Sequence, residues 1–238
     1  MAVVTGGSGG IGSRTAVRLA EDGLAVVVGY TANRDAADAV VTEITANGGA
    51  AVAVRVDVAD EQAVAAVFDT AEDRFGRVDV VVHAAARMRL SPLADLDLAV
   101  LDDMHRTNIR GTFVVARQAA RRLRDGGSVI TFSSSVVGLA FPEYGAYSAS
   151  KGAVEALTLI LARELRGRNI TVNAVAPGPT ATELFLQGKD AGTIARLADQ
   201  PPLRRLGTPA DVAEVVAFLA GPGHWINGQV VRANGGIV

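Results

Sequence analysis

The chain has 238 residues, 49% of them hydrophobic and 20% charged, a composition that suits a globular protein with a sizeable core. Its 23 basic and 25 acidic residues nearly balance, which gives no reason to expect nucleic acid or an anionic membrane as a partner. The absence of cysteine excludes disulfides, a thiolate nucleophile and a cysteine metal site.

Short β-branched runs alternate with longer alanine-rich stretches along nearly the whole chain. The runs predict strands at Ala2-Val4, Leu24-Val28, Ala51-Val56, Val78-His83, Ser128-Phe132, Ile170-Val175 and Gln229-Val231. Helical patterns lie near residues 11–22, 34–47, 60–75, 95–123, 146–166 and 209–220. Strands that are apolar throughout belong in a sheet covered on both faces. We therefore predict an α/β fold, a single Rossmann-like domain over 1–238 with a doubly wound parallel sheet of about seven strands.

The stretch 180–206 interrupts this alternation with several glycines and prolines. It follows the end of a predicted strand, which is the usual position of an insertion that covers a ligand. We expect this insertion to close over the substrate.

The run Thr5-Gly6-Gly7-Ser8-Gly9-Gly10-Ile11-Gly12 joins the first strand to the first helix. Glycines let the chain turn tightly and bring backbone N–H groups close to a pyrophosphate at a helix N-terminus. A flexible turn is the alternative, but the strand–turn–helix context favours a dinucleotide site. The predicted contacts are Gly6, Ser8, Gly10, Ile11 and Gly12.

The second strand runs into Tyr30-Thr31-Ala32-Asn33-Arg34, without the acidic residue that an NAD site places there for the ribose hydroxyls. Asn33 and Arg34 instead offer donors to a 2′-phosphate, although a solvated turn would also explain Arg34. We predict NADP(H) in preference to NAD(H), with Tyr30, Asn33 and Arg34 in the site.

Only two of the 23 basic residues are lysines, and one of them stands in Tyr147-Ser148-Ala149-Ser150-Lys151. A spacing of four places Tyr147 and Lys151 on the same face of a helix. An ammonium beside a phenol favours the ionised phenol and so lowers its pKa. The pair predicts general acid–base chemistry.

The glycine run and Tyr147-x-x-x-Lys151 together resemble the short-chain dehydrogenase/reductase family, and the resemblance covers essentially the whole chain. Within that family, the chain resembles the 3-oxoacyl-carrier reductases. Further family motifs follow in order at Asp57-Val58, Asn108, Ser133 to Gly138, Asn173 to Thr180, Trp225 to Gln229, and Asn234-Gly235-Gly236.

The resemblance implies hydride transfer between a nicotinamide and a carbonyl carbon. Tyr147 would donate the proton to the developing alkoxide, and Ser135 would hold the carbonyl oxygen. Lys151 would lower the pKa of Tyr147 and bind the nicotinamide ribose, while Asn108 would hold a water that links Lys151 to solvent. Implied cofactor contacts come from Asp57, Val58, His83, Ala85, Tyr147, Lys151, Pro177, Gly178, Thr180 and Thr182.

Two departures from the family pattern stand out. His83-Ala84-Ala85-Ala86 replaces the usual Asn-Asn-Ala-Gly, and we expect one structural hydrogen bond from His83 rather than acid–base catalysis. Ser135 matches the family through Ser-Val-Val-Gly, but it lies one residue nearer Tyr147 than is common. Ser134 has the common spacing from Tyr147. We favour Ser135 because shortening a loop disturbs less than shifting a strand register.

The predicted function is NADP(H)-dependent reduction of a ketone to a secondary alcohol, with a 3-oxoacyl or polyketide-like substrate that is either small or carrier-bound. A sugar or secondary-alcohol dehydrogenase of the same family is the alternative. A nucleotide-sensing module without turnover would give no reason for the four catalytic side chains to occur together. An enoyl reductase is disfavoured because its tyrosine and lysine usually lie farther apart.

Partners and location complete the expectations. His105 and His224 lack a ligand spacing, so no metal is predicted. Arginines near two helix ends are either solvated charges that favour the helix dipole or a docking patch for an acidic carrier protein; they are Arg121, Arg122, Arg124, Arg163, Arg166 and Arg168. The resemblance implies a homo-oligomer, a tetramer or dimer. Without a basic leader or a long apolar segment, we expect a cytoplasmic protein.

Overall fold

The computed structural model describes all residues from 1 to 238. Seven parallel strands form one sheet, and each strand coincides with a short apolar run of the sequence. They are β1 (Ala2–Thr5), β2 (Val26–Tyr30), β3 (Ala51–Arg55), β4 (Val78–His83), β5 (Leu123–Phe132), β6 (Thr171–Pro177) and β7 (Val230–Ala233). The α/β prediction is confirmed.

Helices connect the strands. They are α1 (Gly10–Glu21), α2 (Arg34–Ala46), α3 (Glu61–Phe75), α4 (Leu98–His105), α5 (Gly111–Arg122), α6 (Val136–Leu139), α7 (Gly145–Glu164), α8 (Glu183–Leu186), α9 (Ala191–Asp199) and α10 (Pro209–Ala220). Side chains cap several of their first turns. Thr208 and Asp211 form a reciprocal capping box at α10, and Asp60 accepts two backbone N–H bonds at α3.

The strand order is β3-β2-β1-β4-β5-β6-β7. The chain winds outward from β1 to β3, then returns to the other side of β1 and winds outward again. The loops that follow β1 and β4 therefore diverge, and they open a crevice at the carboxyl ends of the strands. Ligands bind in such crevices in doubly wound sheets.

Both faces of the sheet are covered, as the continuous apolar strands require. Along β1, Val3 packs into the cluster that contains Phe68 of α3, whereas Val4 packs into the cluster that contains Leu19 of α1. The side chains of successive strand residues thus pack into two separate cores, one on each face of the sheet. The sheet is held rigidly between them, which fixes the strand ends that carry the site.

Two segments differ from the sequence-based expectation. The predicted helix over 95–123 is interrupted by a single π-helical turn, Arg106–Arg110, between α4 and α5. Such turns often occur at functional sites, and this one contains Asn108. The insertion 180–206 is partly helical, because it contains α8 and α9. Leu184 and Phe185 of α8 and Leu197 of α9 line the crevice.

No helix in the structure combines the length and the apolar character needed to span a bilayer. His, Asp and Glu side chains do not converge anywhere in a group of three or more that could hold a metal ion.

Candidate active site

A cavity of about 560 Å³ occupies the crevice at the strand ends. Its volume falls in the usual range of small-molecule sites. The wall is built from the glycine run, the end of β2, Asp57-Val58, the loop after β4, the region after β5, the first turns of α7 and the segment after β6. Sequence segments from Gly6 to Leu197 therefore meet around one space.

The glycine run forms one end of the cavity, and its shape depends on missing side chains. Gly6 and Gly10 have φ angles of 69° and 50°, which glycine adopts without strain. A Cβ atom at Gly6 would lie 2.6 Å from the Ala85 backbone nitrogen, and one at Gly12 would overlap the Gly6 carbonyl oxygen. No side chain caps the first turn of α1, so its backbone N–H groups are available to an anion. This cradle fits a pyrophosphate.

The end of β2 supplies the neighbouring wall through Thr31, Ala32 and Asn33. None of these side chains is a carboxylate, and the Asn33 carboxamide oxygen caps α2 by accepting from the Ala36 N–H at 3.0 Å. A wall without negative charge suits the additional phosphate of NADP(H).

Three residues predicted to contact the cofactor lie elsewhere. Tyr30 is buried in the apolar core under α2, and Arg34 is 75% exposed with its guanidinium near Asp38. His83 lies beneath the crevice, where Nδ1 and the Thr5 hydroxyl are 2.7 Å apart. Strand pleating and helix direction turn these side chains away, a feature that residue spacing alone does not reveal.

His83 is fully enclosed, and its Nε2 atom has no hydrogen-bond partner in the structure. Burial, and then the nearby charge of Lys151, lowers the pKa of His83 to about 3. The imidazole is therefore neutral at physiological pH. A neutral ring with one hydrogen bond to Thr5 has the structural character expected from the sequence.

Asp57 and Val58 line the cavity beyond the glycine run. Burial acts to raise the pKa of the Asp57 carboxyl, but the Ala59 N–H and the Arg106 guanidinium outweigh it and leave the pKa below its usual value. The Arg106 Nη1 and Asp57 Oδ2 atoms are 2.8 Å apart. This ion pair joins the loop after β3 to the π-helical turn at the cavity wall.

Tyr147 and Lys151 lie on the inner face of α7, where both are almost wholly buried. The Lys151 ammonium donates to the Phe132 carbonyl at 2.8 Å and lies 5.8 Å from the centre of the Tyr147 ring. Burial lowers the pKa of Lys151 to about 8. Burial also raises the pKa of Tyr147 to about 12.

The expected lowering of the Tyr147 pKa by Lys151 is therefore not found in this structure. Burial disfavours the phenolate and outweighs the lowering effect of the Ser134 hydroxyl, while the Lys151 ammonium is engaged with the Phe132 carbonyl. The phenol is protonated throughout the physiological pH range, which is the form that a general acid requires.

Ser134 and Ser135 both line the cavity together with Tyr147. The Ser134 hydroxyl lies near the Tyr147 phenol and acts to lower its pKa, against the larger effect of burial. The Ser135 hydroxyl instead accepts from the Asn234 carboxamide at 3.1 Å and donates to the Ala176 carbonyl at 3.4 Å. The Ser135 hydroxyl is thus engaged with the C-terminal segment, which favours Ser134 as the proton-transfer partner, and the choice of Ser135 stays a prediction.

Asn108 is buried in the π-helical turn and holds two parts of the site together. Its carboxamide accepts from the Arg87 N–H and donates to the Arg87 carbonyl, both at 2.8 Å. It also donates to the Ser150 hydroxyl at 3.0 Å, which in turn donates to the Tyr147 carbonyl at 2.7 Å. Asn108 therefore fixes the loop after β4 against the first turns of α7.

Comparison with known proteins identifies the family of this chain. The sequence profile of a family described as Enoyl-(Acyl carrier protein) reductase matches residues 6–238. A short-chain type dehydrogenase/reductase of Picea abies is 44% identical over 249 residues, which cover 100% of this chain and 92% of that protein. The chain belongs to the short-chain dehydrogenase/reductase family. Versicolorin reductase of Emericella nidulans is also similar, with 39% identity across 99% of this chain and 94% of that protein.

Solved structures of this family extend the comparison to the cofactor. A short-chain dehydrogenase of Burkholderia cenocepacia in complex with NADP matches with a TM-score of 0.93 and 38% identity, over 99% of this chain and 96% of that chain. The angucycline C-6 ketoreductase LanV with bound NADP has a TM-score of 0.93 and 33% identity, over 99% and 94%. This short-chain dehydrogenase/reductase is an oxidoreductase that uses NADP(H), as the sequence predicted.

Most of the predicted site residues of this oxidoreductase line the one cavity. Those brought together are Gly6, Ser8, Gly10, Ile11, Gly12, Asn33, Asp57, Val58, Ala85, Ser135, Tyr147, Lys151, Pro177, Gly178, Thr180 and Thr182. Leu184 and Leu197, which lie in the insertion predicted to cover the substrate, and Leu139 and Phe141 also line the substrate side, but the sequence singled out none of the four. Their apolar character gave no signal, because the same residue types fill the core.

Gly12→Ala should weaken NADPH binding at least about tenfold, because the new methyl group would overlap the Gly6 backbone and distort the cradle. Titration of NADPH fluorescence measures the affinity. Gly152→Ala is the matched control, since a Cβ atom at that helical position meets nothing within 4 Å. Unchanged affinity in the Gly12 variant would show that the cofactor phosphates bind elsewhere.

Proposed function

We propose that this enzyme reduces a small-molecule ketone to a secondary alcohol with NADPH, with Tyr147 as the general acid. The observation that carries the proposal is a buried, protonated phenol next to the Ser134 hydroxyl and one helical turn from an ammonium. All three groups line the cavity that contains the glycine cradle. A proton donor and a hydride source are thereby brought to one carbonyl.

NADPH supplies the hydride when it is bound, and Gly6, Gly12, Asn33, Lys151 and Thr182 are among the residues that would hold it. The remaining chemistry belongs to the side chains of the enzyme.

The roles of those side chains follow from their positions. Ser134 donates a hydrogen bond to the substrate oxygen and orients it towards the Tyr147 phenol. Tyr147 then transfers its proton to the oxygen as negative charge develops there. The Lys151 ammonium stabilises the resulting phenolate by charge. In this proposal Asn108 positions α7 through Ser150, and a water bound at Asn108 would resupply the proton through Lys151.

The insertion 180–206 is proposed to cover the substrate. Thr182 lies over the glycine run, because a Cβ atom at Gly10 would be 3.1 Å from its methyl group. Leu184 and Leu197 face the same cavity as Tyr147. A closed apolar cover would exclude water and strengthen the polar interactions of the reacting groups.

A ketone is favoured over an enoyl substrate for two reasons. Tyr147 and Lys151 are four residues apart, and their side chains lie on one helical face. Two similar proteins are named as reductases of this kind, versicolorin reductase and the ketoreductase LanV. A sugar or secondary-alcohol dehydrogenase is the runner-up, since the same groups operate in the oxidative direction.

A free substrate is favoured over a carrier-bound one because half of the arginines in the suggested docking patch are engaged within the chain. Arg122 pairs with Asp69 at 2.6 Å, Arg168 pairs with Asp125 at 2.8 Å, and Arg124 pairs with Asp79. Paired guanidinium groups offer less attraction to an acidic partner.

The decisive experiment is a panel of ketones, sugars and enoyl thioesters assayed with NADPH and with NADH. We expect consumption of NADPH with ketones, and a slower reaction with NADH. A protein that binds NADPH but reduces no member of the panel would be a nucleotide sensor. A preference for the enoyl thioester would contradict the role of Tyr147 as donor to a carbonyl oxygen.

Ketone reduction should fall as the pH rises through about 8, because Lys151 loses its charge there while Tyr147, with a pKa of about 12, stays protonated. Below that pH the ammonium is present and the rate should level off. The measurement is kcat/KM for a ketone with NADPH from about pH 6 to about pH 10. A rate that increases through pH 8 would oppose the charge role of Lys151.

We also propose that the enzyme is a homo-oligomer, a tetramer or dimer. Large apolar side chains are exposed outside the cavity, at Phe113, Leu159, Ile160, Phe218 and Trp225. Exposed apolar groups of this size commonly mark interfaces. Size-exclusion chromatography with light scattering should give a mass above that of one chain, and a monomer at micromolar concentration would contradict the proposal. The cytoplasmic location stays a prediction from the sequence.

A further inference from the structure

A second cavity of about 740 Å³ adjoins the site on the side away from the glycine cradle. It shares five lining residues with the catalytic cavity: Met88, Phe141, Tyr144, Leu184 and Leu197. The two spaces are therefore parts of one cleft, with the catalytic phenol on the inner side of their junction. We call the second space the outer chamber.

The shared walls are apolar and partly aromatic. The Phe141 and Tyr144 rings meet edge to face, with centroids 5.9 Å apart. Burial, and then the charge of Glu143, raises the pKa of Tyr144, so its phenol is neutral. A flat apolar body next to the reacting carbonyl would fit this junction.

The far walls of the outer chamber are different, because three cations converge there from separate segments. Arg89 comes from the loop after β4, Lys189 from the segment between α8 and α9, and Arg196 from α9. Lys189 is the second of the two lysines in the chain. Glu143 is the one carboxylate in the lining, so the chamber carries a surplus of two positive charges.

None of these cations has a carboxylate partner. The Arg89 guanidinium donates to the Met88 carbonyl at 3.1 Å and the Lys189 ammonium to the Phe185 carbonyl at 2.6 Å. The Arg196 guanidinium reaches the Thr193 hydroxyl at 3.3 Å.

Nearby arginines behave differently. Arg87 pairs with Asp103 at 2.7 Å, and Arg204 pairs with Asp199 at 2.8 Å. Unpaired arginines also occur elsewhere, Arg163 among them, but the outer chamber is lined by three cations that are all without a carboxylate partner.

The cofactor phosphates do not account for these charges. Arg89, Lys189 and Arg196 are absent from the wall of the cavity that contains the glycine cradle, and the cradle lies at its opposite end. A group that meets the three cations must therefore belong to the substrate. In a partly enclosed space an anion is attracted more strongly than in water.

We infer that the substrate is a bulky, aromatic or similarly flat ketone that carries a carboxylate on the side remote from the reacting carbonyl, bound by Lys189 and Arg196 with Arg89. The inference rests on the proposed function, since it names the substrate class of the same site. The carbonyl would meet Ser134 and Tyr147, the flat body would contact Phe141 and Tyr144, and the carboxylate would enter the outer chamber.

Two matched ketones test the inference: 2-acetylnaphthalene and 6-acetyl-2-naphthoic acid, each assayed with NADPH. The wild-type enzyme should favour the acid in kcat/KM by about tenfold or more, mainly through a lower KM. The Lys189→Met, Arg196→Gln double variant should lose this advantage and keep wild-type activity on the neutral ketone. Arg163→Gln removes an exposed, unpaired arginine outside the cleft and should change neither rate.

Calorimetry with 2-naphthoate in the presence of NADP⁺ gives a readout that needs no turnover. The double variant should bind 2-naphthoate about tenfold more weakly than the wild type. If naphthoate binding shows this loss but neither ketone is reduced, the outer chamber binds an anion as inferred and the proposed function fails. If both ketones are reduced equally well and naphthoate binds both proteins equally, the inference is overturned and the proposed function stands.

Discussion

Tyr147→Phe should reduce the turnover of a ketone with NADPH by at least about 10²-fold, the usual contribution of a positioned general acid. The ring is buried, with 8% of its surface exposed, so phenylalanine fills the same space and only the hydroxyl is lost. Lys151 keeps its bond to the Phe132 carbonyl, because that contact does not involve the phenol. The loss should therefore appear in kcat, measured at saturating NADPH, with little change in cofactor affinity.

Tyr30→Phe is the matched control for that experiment. Tyr30 is also buried, but it packs in the core beneath α2, and loss of its hydroxyl should leave turnover near the wild-type value. Near-wild-type turnover in Tyr147→Phe would instead remove the phenol from the mechanism. The proton would then have to come from another donor, and Ser134 is the hydroxyl beside it.

The comparison of Tyr147 with Tyr30 shows what the sequence could reveal. Spacing along a helix placed Tyr147 and Lys151 on one face, because the helical period is fixed by backbone geometry. The glycine run was equally readable, since positive φ angles and close backbone approach favour residues without a side chain. Apolar runs placed the strands for the same kind of reason: a sheet covered on both faces needs them.

Other features depend on contacts between distant segments, and local patterns do not encode those. The sequence could not show that Arg34 would point into solvent, since a guanidinium at a strand end suits either a phosphate or water. The break within 95–123 was also hidden, because a π-helical turn needs no proline or glycine. Asn108 occupies that turn because its carboxamide satisfies the backbone of Arg87, which is remote in sequence.

The pKa of Tyr147 illustrates a competition that requires the structure. A neighbouring ammonium lowers a phenol pKa and burial raises it, and the result depends on which is larger at the site. Here burial is larger, and the pKa of Tyr147 is about 12. In the proposed mechanism the protonated phenol would be the donor, and Lys151 would contribute most after the proton has left, when the phenolate needs a counter-charge.

Ser134→Ala should lower kcat/KM for a ketone by about 10²-fold, the scale on which one donor to a developing oxyanion acts. Ser135→Ala should instead affect stability and not catalysis. Its hydroxyl accepts from Asn234 at 3.1 Å and lies against the Ala176 carbonyl, so its loss should lower the free energy of unfolding by about 1 kcal/mol and leave turnover near normal. Paired measurements of kcat/KM and of thermal unfolding separate the two roles.

The two serines are adjacent and chemically identical, so any difference in activity between the two variants must come from the positions of the hydroxyl groups. Ser135 matches the family motif by its neighbours, whereas Ser134 matches by its distance in sequence from Tyr147 and by its effect on the pKa of the phenol. If Ser135→Ala loses activity without losing stability, the motif neighbours identify the catalytic serine after all. If Ser134→Ala alone loses activity, the catalytic serine is identified by its position relative to the phenol and not by its sequence neighbours. Proton transfer requires a hydroxyl placed next to the reacting oxygen, and the sequence motif does not by itself fix that placement.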